Sequence, residues 1–376
     1  MPAEIDRNFG ALISRLARHQ DLTREESSQA FSAVLNDATT SMQQGAFLAA
    51  LATKGETGEE MAGAWEAIFN LDTVKINLLP PRPLVENSGT GMDAFKTFNI
   101  STAAAVIAAA GGLSMARHGA RAITSACGTV DMAEAVGVDV ECPVEMVAES
   151  IARAGIGLFN GMSPTIHPGS LARILSQIHF GSILNIAASL ANPAMPVIGV
   201  RGVYSEAMIL PVVRLMKSIG YKKAIGLYGT ITGLDGGMDE ASVCGPTHCA
   251  ELRESGDIRA FTLYPEDYGL RATNPQDLAP SGGLAAEARR FVSLLQNREN
   301  GIRKDAVLLN AALVFYAAGT VSGIDGGLQK ATRLLENGQA FATLTAWVAA
   351  QNREPEKGLR TLERLADPGC LRKERS

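Results

Sequence analysis

Apolar positions in the first seventy residues recur at helical spacing. Ile5, Phe9, Leu12, Ile13 and Leu16 form one stripe, and Phe47, Leu48 and Leu51, then Met61, Trp65 and Ile68, form two more. Three pairs spaced as capping boxes accompany them: Thr23 with Glu26, Ser41 with Gln44, and Thr57 with Glu60. The pattern predicts a small domain of short helices, residues 1–78, whose stripes are core or a subunit surface. Pro80, Pro81 and Pro83 end it. Beyond them, short apolar runs (Leu84-Val85, Leu113 to Ala116, Gly157 to Phe159, Val197 to Val203, Ala224 to Tyr228) alternate with alanine-rich helical stretches. That alternation predicts a larger α/β domain around a mostly parallel sheet. From about Gly283 the texture is helical, with Phe291, Leu294 and Leu295, then Val307, Leu308, Ala311 and Leu313 as packing faces.

A chain of 376 residues fits two domains at roughly 150 residues each. Hydrophobic residues at 46% and charged residues at 19% exclude a disordered chain. The net charge of -5 argues against a broad basic footprint, so nucleic acid is not an expected partner. The start, MPAEIDRNFGALISRL, lacks a basic segment followed by an apolar core, and the run Ile100 to Leu113 is too short for a bilayer. A cytoplasmic protein that makes no membrane contact is expected. Cys127, Cys142, Cys244, Cys249 and Cys370 form no zinc-type doublets and read as free thiols.

The residues that could carry chemistry fall after predicted strands. Asn87 to Thr102 runs through Gly89-Thr90-Gly91 and Asp93 to Asn99-Ile100-Ser101-Thr102, which opens an alanine-rich helix. Glycines let backbone N–H groups approach an anion, and a helix start adds free N–H groups beside the hydroxyls of Ser101 and Thr102. A phosphate or pyrophosphate suits that stretch. Arg117-His118-Gly119-Ala120-Arg121 and then Thr124 to Asp131 follow the second strand. Their guanidinium, imidazole and hydroxyl groups suit a multiply charged anion. The plainer reading is a solvated loop with a helix cap at Thr129. Gly236-Gly237-Met238-Asp239-Glu240 sets two carboxylates side by side, as magnesium would require or as an acidic turn would show. No nucleophilic triad is evident; His118 is the one candidate for moving a proton.

Together these stretches resemble the anthranilate phosphoribosyltransferase family. The likeness runs in order from Phe47-Leu48-Ala49-Ala50-Leu51 and Lys54-Gly55-Glu56-Thr57, through GTGMD, FKTFNIST, RHGAR and GMDE, to Pro265-Glu266-Asp267-Tyr268-Gly269-Leu270. It implies a helical domain packed on an α/β domain of residues 79–162 and 197–376, with residues 163–196 returning as a hinge. It also implies a homodimer joined through the helical domain, and magnesium-dependent transfer of phosphoribosyl from phosphoribosyl pyrophosphate (PRPP) to an aromatic amine. By that likeness Gly89, Gly91, Asp93, Thr97, Asn99, Ser101, Thr102, Arg117, Ser125 and Thr129 would hold PRPP. Ser101, Asp239 and Glu240 would meet the metal.

The chain departs from the family where the acceptor would lie. Met92 stands at a family glycine, where its side chain would narrow the approach to the pyrophosphate, and Arg117 stands at a lysine. Ala120 replaces an asparagine that contacts anthranilate. Leu175 replaces an arginine that meets the anthranilate carboxylate, and Ala188-Ser189 replaces Gly-Pro. His118, Ala120, Met162, Ser163, His167, Ala188 and Ser189 are expected to line a rewritten pocket. These departures predict an aromatic or heteroaromatic acceptor other than anthranilate. The alternatives are a true anthranilate enzyme, a pyrimidine nucleoside phosphorylase-like enzyme, which GMDE and FNIST disfavour, and a non-catalytic nucleic-acid-binding relative.

Overall fold

The computed structural model describes residues 7–78, 83–122, 127–270 and 274–367. The chain opens with helices α1 (Arg7–Leu16), α2 (Arg24–Leu35), α3 (Ser41–Lys54) and α4 (Gly58–Asp72). Thr23 and Thr57 cap α2 and α4, with Glu26 and Glu60 returning the bond. The third box sits one residue earlier than its spacing suggested: Thr40 is the cap of α3 and Gln43 its reciprocal partner. Gln44 is instead buried, donating to Asp37 at 2.9 Å and to the Thr39 carbonyl at 3.0 Å. The apolar stripes meet in one core, where Phe47 packs on both Phe9 and Phe31 with ring centroids 5.2 Å apart.

All five predicted apolar runs are strands: β1 (Leu84–Ser88), β2 (Ser114–Gly119), β3 (Ile156–Asn160), β4 (Ile198–Gly202) and β5 (Lys223–Thr230). They pair in parallel in the order β3-β2-β1-β4-β5. Beyond β5 the sheet continues antiparallel through β7 (Thr247–Leu252) and β8 (Ile258–Leu263), while the short β6 (Gly237–Met238) pairs antiparallel with β5 alone. The periodicity did not show these last strands. β8 is an edge strand whose Arg259 and Ala260 face solvent, so it lacks the continuous apolar run of a strand covered on both faces.

Helices cross between the strands: α5 (Ile100–Ala110) after β1, α6 (Thr129–Ala135) and α7 (Val144–Ala154) after β2, α8 (Leu171–Ile178) and α9 (Leu184–Leu190) after β3, and α10 (Ile209–Ser218) after β4. Five further helices among the described residues, α11 to α15, occupy Gly283–Ala366. Leu171, Ile174, Ile183 and Leu184 of the α8–α9 segment are buried in the same core as α1 to α4. The Asp72 carboxylate accepts from the N–H groups of Gly169 and, at 2.8 Å, Leu171 where α8 begins, and the Trp65 indole donates to the Leu190 carbonyl at 3.0 Å. The helical unit is thereby stitched to the segment that joins β3 to β4.

The strand order reverses at β1, which has β2 on one side and β4 on the other. At such a switch point the connections leave in opposite directions and open a crevice at the carboxyl ends of the strands. The conspicuous loops of the sequence converge there.

Candidate active site

A cavity of about 200 Å³ opens at that crevice. Gly89, Gly91, Asp93, Thr97, Asn99, Ser101, Thr102, Arg117 and Thr129 all line it, as do Asp239 and Glu240. Ser125 lies outside the described residues, as do Thr124 and Cys370. Local chemistry explains the shape of the loop after β1. Gly91 has φ +69, a left-handed conformation that favours glycine, and its N–H donates to Asp239 Oδ2 at 2.6 Å. Gly89 lies so close to the Asp239 carboxyl that any side chain there would collide with it. Thr90 Oγ1 adds a bond of 3.2 Å to the same oxygen. The loop thus cradles a carboxylate of the protein itself.

Asn99 precedes α5 and donates to the Cys127 and Gly128 carbonyls at 3.4 and 3.3 Å, tying the two anion-binding stretches together. Gly128, not Thr129, caps α6, and the Asp131 carboxylate holds the Gly128 and Ala122 N–H groups at 2.9 and 2.8 Å. Arg121 pairs with Asp131, Glu134 and Glu141, so its charge is largely spent within the protein. Arg117 is different. It is buried, and its Nε and Nη1 have no partner. Burial lowers its pKa to about 10, which leaves it charged at neutral pH and short of an anion.

Asp93, Asp239 and Glu240 bring carboxylate oxygens within 4.8 Å of one another, and all three residues are buried. Asp93, read from sequence as a PRPP holder, therefore belongs to the acidic cluster. Thr97 Oγ1 donates to Glu240 at 3.1 Å and Lys96 to Asp93 at 3.1 Å. Burial, then repulsion from Asp239, pushes Asp93 up to about 7, and burial with both neighbours raises Glu240 well above the carboxylate range. Three hard oxygen donors with one lysine between them are a mismatch of charge that a divalent cation such as magnesium would correct. The residues present therefore fit that ion.

His118, His167 and Ser189 come together at another end of the cavity, which Ala120, Leu175 and Ala188 also line. Met162 and Ser163 do not line it: Met162 packs against the helical core, and Ser163 Oγ bonds Thr165 at 3.0 Å. Met92 is also clear of the cavity. Its thioether lies against Gly181, between α8 and α9, so it does not narrow the donor loop.

His118 and His167 form a buried pair with Nε2 atoms 3.1 Å apart. His167 Nδ1 faces the Asp72 carbonyl at 2.5 Å, and His118 Nδ1 faces the Ser189 carbonyl at 3.2 Å. A carbonyl only accepts, so both Nδ1 atoms must carry hydrogen. The neutral rings then have no proton left for the gap between them. Burial, and secondarily His167, pushes His118 down to about 3, and burial lowers His167. The resting pair is neutral and lacks one proton.

The sequence reading missed Arg201 and Glu86, which lie buried beneath this end. An arginine inside an apolar run, Val197 to Val203, is the signal that could have found the first.

Comparisons with known proteins identify the family of the chain. Residues 11–71 match the glycosyl transferase family helical bundle domain, and residues 81–341 match its a/b domain. The chain is 35% identical over 343 residues to the anthranilate phosphoribosyltransferase of Syntrophobacter fumaroxidans, covering 90% of this chain and 98% of that one. It is 36% identical over 342 residues to the enzyme of the same name from Anaeromyxobacter dehalogenans, covering 90% and 97%. Among solved structures, anthranilate phosphoribosyltransferase from Thermus thermophilus superposes with TM-score 0.79 at 30% identity, covering 90% of this chain and 98% of that one. The Saccharomyces cerevisiae enzyme in complex with PRPP and Mg gives 0.79 at 22% identity, covering 92% and 98%, a likeness of fold.

Proposed function

The chain belongs to the anthranilate phosphoribosyltransferase family of glycosyl transferases, and on that premise we propose that it transfers phosphoribosyl from PRPP to the nitrogen of an aromatic amine, with magnesium. The observation that carries this reading is the donor end of the cavity: a loop that cradles an oxyanion, an unpartnered buried arginine, and three carboxylates within 4.8 Å. The relatives' names support anthranilate itself as acceptor, in preference to the different acceptor that the departures from the family suggested. One observation keeps that second reading in view: Leu175 and Ala120, where the family resemblance places an arginine and an asparagine, face the cavity.

The residues divide the work. The start of α5, with Ser101 and Thr102, holds and orients the pyrophosphate, Gly91 N–H, Thr90 and Thr97 fix the carboxylates of Asp239 and Glu240 beside it, and Arg117 takes a phosphate oxygen with its free N–H groups. Asp93, Asp239 and Glu240 would hold magnesium, which when bound neutralises charge on the leaving pyrophosphate. The bond from the anomeric carbon to the pyrophosphate oxygen breaks, the pyrophosphate keeps the electron pair, and the amine nitrogen bonds to that carbon. The nitrogen then sheds a strongly acidic arylammonium proton, which the His118–His167 pair can take into its empty central gap. The helical unit, joined through α8 and α9, closes over the crevice and excludes water. The protein works in the cytoplasm as a homodimer through its helical unit, where Met42 of α3 is 85% exposed and offers apolar surface to a partner.

The test is pyrophosphate release from PRPP and magnesium with anthranilate, other aromatic amines, phenols and azoles, beside a titration with single-stranded DNA. Turnover on anthranilate is the expected result. Turnover confined to another acceptor selects the second reading, and DNA binding without turnover overturns both.

A further inference from the structure

One charged group at the acceptor end is used by nothing above. Arg201, next to last in β4, lies opposite Ser88 of β1, and none of its side chain reaches solvent. Nη1 donates to Ser88 Oγ, Nη2 donates to Ser189 Oγ at 3.1 Å, and Nε has no partner. Ser88 and Ser189 both line the cavity. Ser189 has a fixed role in this arrangement: it accepts from Arg201 and passes its own proton to the α9 carbonyls of Asn185 and Ile186, at 2.5 and 3.0 Å. The hydroxyl is therefore oriented by the arginine behind it.

The charges in this wall do not balance. Glu86 is 3.9 Å from Arg201 Nη2, and its other oxygen is engaged by Asn192 at 3.2 Å. Arg117 makes no ion pair with that carboxylate and feels both Glu86 and Glu240 at longer range. Arg201 thus carries a fully buried charge whose nearest carboxylate is no closer than 3.9 Å and whose Nε is unpartnered, a costly arrangement unless a ligand completes it. Arg117 faces the donor end, where a phosphate meets it. Arg201 lies under Ser189 and near enough to His118 to oppose its protonation, which places its charge at the acceptor end. Leu175, the cavity residue from α8, offers no charge there.

We propose that Arg201 is a specificity-determining positioning residue of the acceptor end: its charge, carried to the cavity through Ser88 and Ser189, selects an aromatic amine that bears a carboxylate. The proposal rests on the phosphoribosyltransferase reading, and its test is built to fail separately from it.

The full-length protein is assayed with PRPP and magnesium on two acceptors of the same shape, anthranilate and its neutral amide. Binding of each is measured by calorimetry in parallel. Native protein prefers the anion. Arg201→Met lowers kcat/KM and affinity for anthranilate by about 30-fold or more, by the loss expected for one member of a buried charge pair, and changes the amide by less than about threefold. Arg201→Lys, which keeps the charge, restores most of the preference, a rescue that a packing role would not produce. An unchanged anion-to-amide ratio in Arg201→Met overturns the proposal. Should that variant not fold, Leu175→Arg in otherwise native protein decides: a gain on anthranilate below about threefold is expected, because a cation is already present, and a gain above about tenfold overturns it. If neither acceptor releases pyrophosphate, the transferase reading fails, while the calorimetric ratio still decides the role of Arg201.

Discussion

The two ends of the cavity are made in different ways. The donor end is built from backbone N–H groups, glycines and short side chains that lie close together in sequence, between residues 89 and 129, with the 239–240 pair completing it. The other end is built from side chains drawn from distant segments, β2, α8, α9 and the loop that carries His167, with a charge on β4 behind them. Phosphate and magnesium demand fixed geometry from small parts, and such parts tolerate little change. A pocket made of interlocking side chains can be altered in compensating sets, as the Ser189 and Arg201 pairing illustrates. The same fold can therefore hold one substrate rigidly while leaving room to revise the other.

The sharpest way to break that contrast is at the acidic cluster. Changing Asp239 to Asn and Glu240 to Gln together removes the charge that would hold magnesium, and PRPP turnover should fall at least about 10³-fold on every acceptor. Near-normal turnover, measured by pyrophosphate release, would mean that the donor end is not what drives the reaction. His118→Asn probes the other end. It should reduce kcat by about 10²-fold, the usual contribution of a general base, with PRPP affinity by calorimetry unchanged. A matching loss of PRPP affinity would erase the division between the two ends. Gly89→Ala is milder. Its methyl group presses on the Asp239 carboxyl, and an overpacked site of this kind costs about 1–3 kcal/mol, readable as a lower Tm and weaker PRPP binding while acceptor discrimination holds.

A last expected effect is one of pH. Asp93 rises from its ordinary 3.8 to about 7 on folding, so the folded chain holds that proton more tightly than the unfolded one. The stabilisation this gives is complete below 3.8 and is lost as pH climbs through about 7. Metal-free protein should lose stability across that window in denaturant titrations, Asp93→Asn should flatten the curve, and magnesium affinity should increase over the same range. A curve that rises with pH would contradict the charge crowding described for the donor end.

The same difference governs what was readable in the sequence. The strands of the parallel sheet and the donor loops were legible because each is a local pattern: an apolar run, a glycine turn, a helix start. Capping boxes were legible to within one residue, the slip at Thr40 arising because buried Gln44 is held by Asp37 and the Thr39 carbonyl. The acceptor end was legible only in part. His118, His167 and Ser189 were named, yet their mutual bonds join residues 49 and 71 positions apart, which no local spacing encodes. Met162 and Ser163 were placed wrongly because neighbours in sequence on a turn do not share an outlook. Met92 was misjudged for a related reason: its partner, Gly181, lies in a distant segment that gives it somewhere else to go.

Helix α5 begins at the donor loop and is buried from Ile100 to Ala109 apart from Ser101. A helix that is apolar on all sides has no stable surface of its own. Its cover comes from the sheet and from α12 (Ile302–Ala317), α13 (Ile324–Glu336) and α14 (Gln339–Ala350). During synthesis at about 5–20 residues per second, the helix that follows the glycine loop waits on the order of tens of seconds for those helices to leave the ribosome. The last part of the chain, none of whose described residues lines the cavity, thereby decides when α5 first gains its cover.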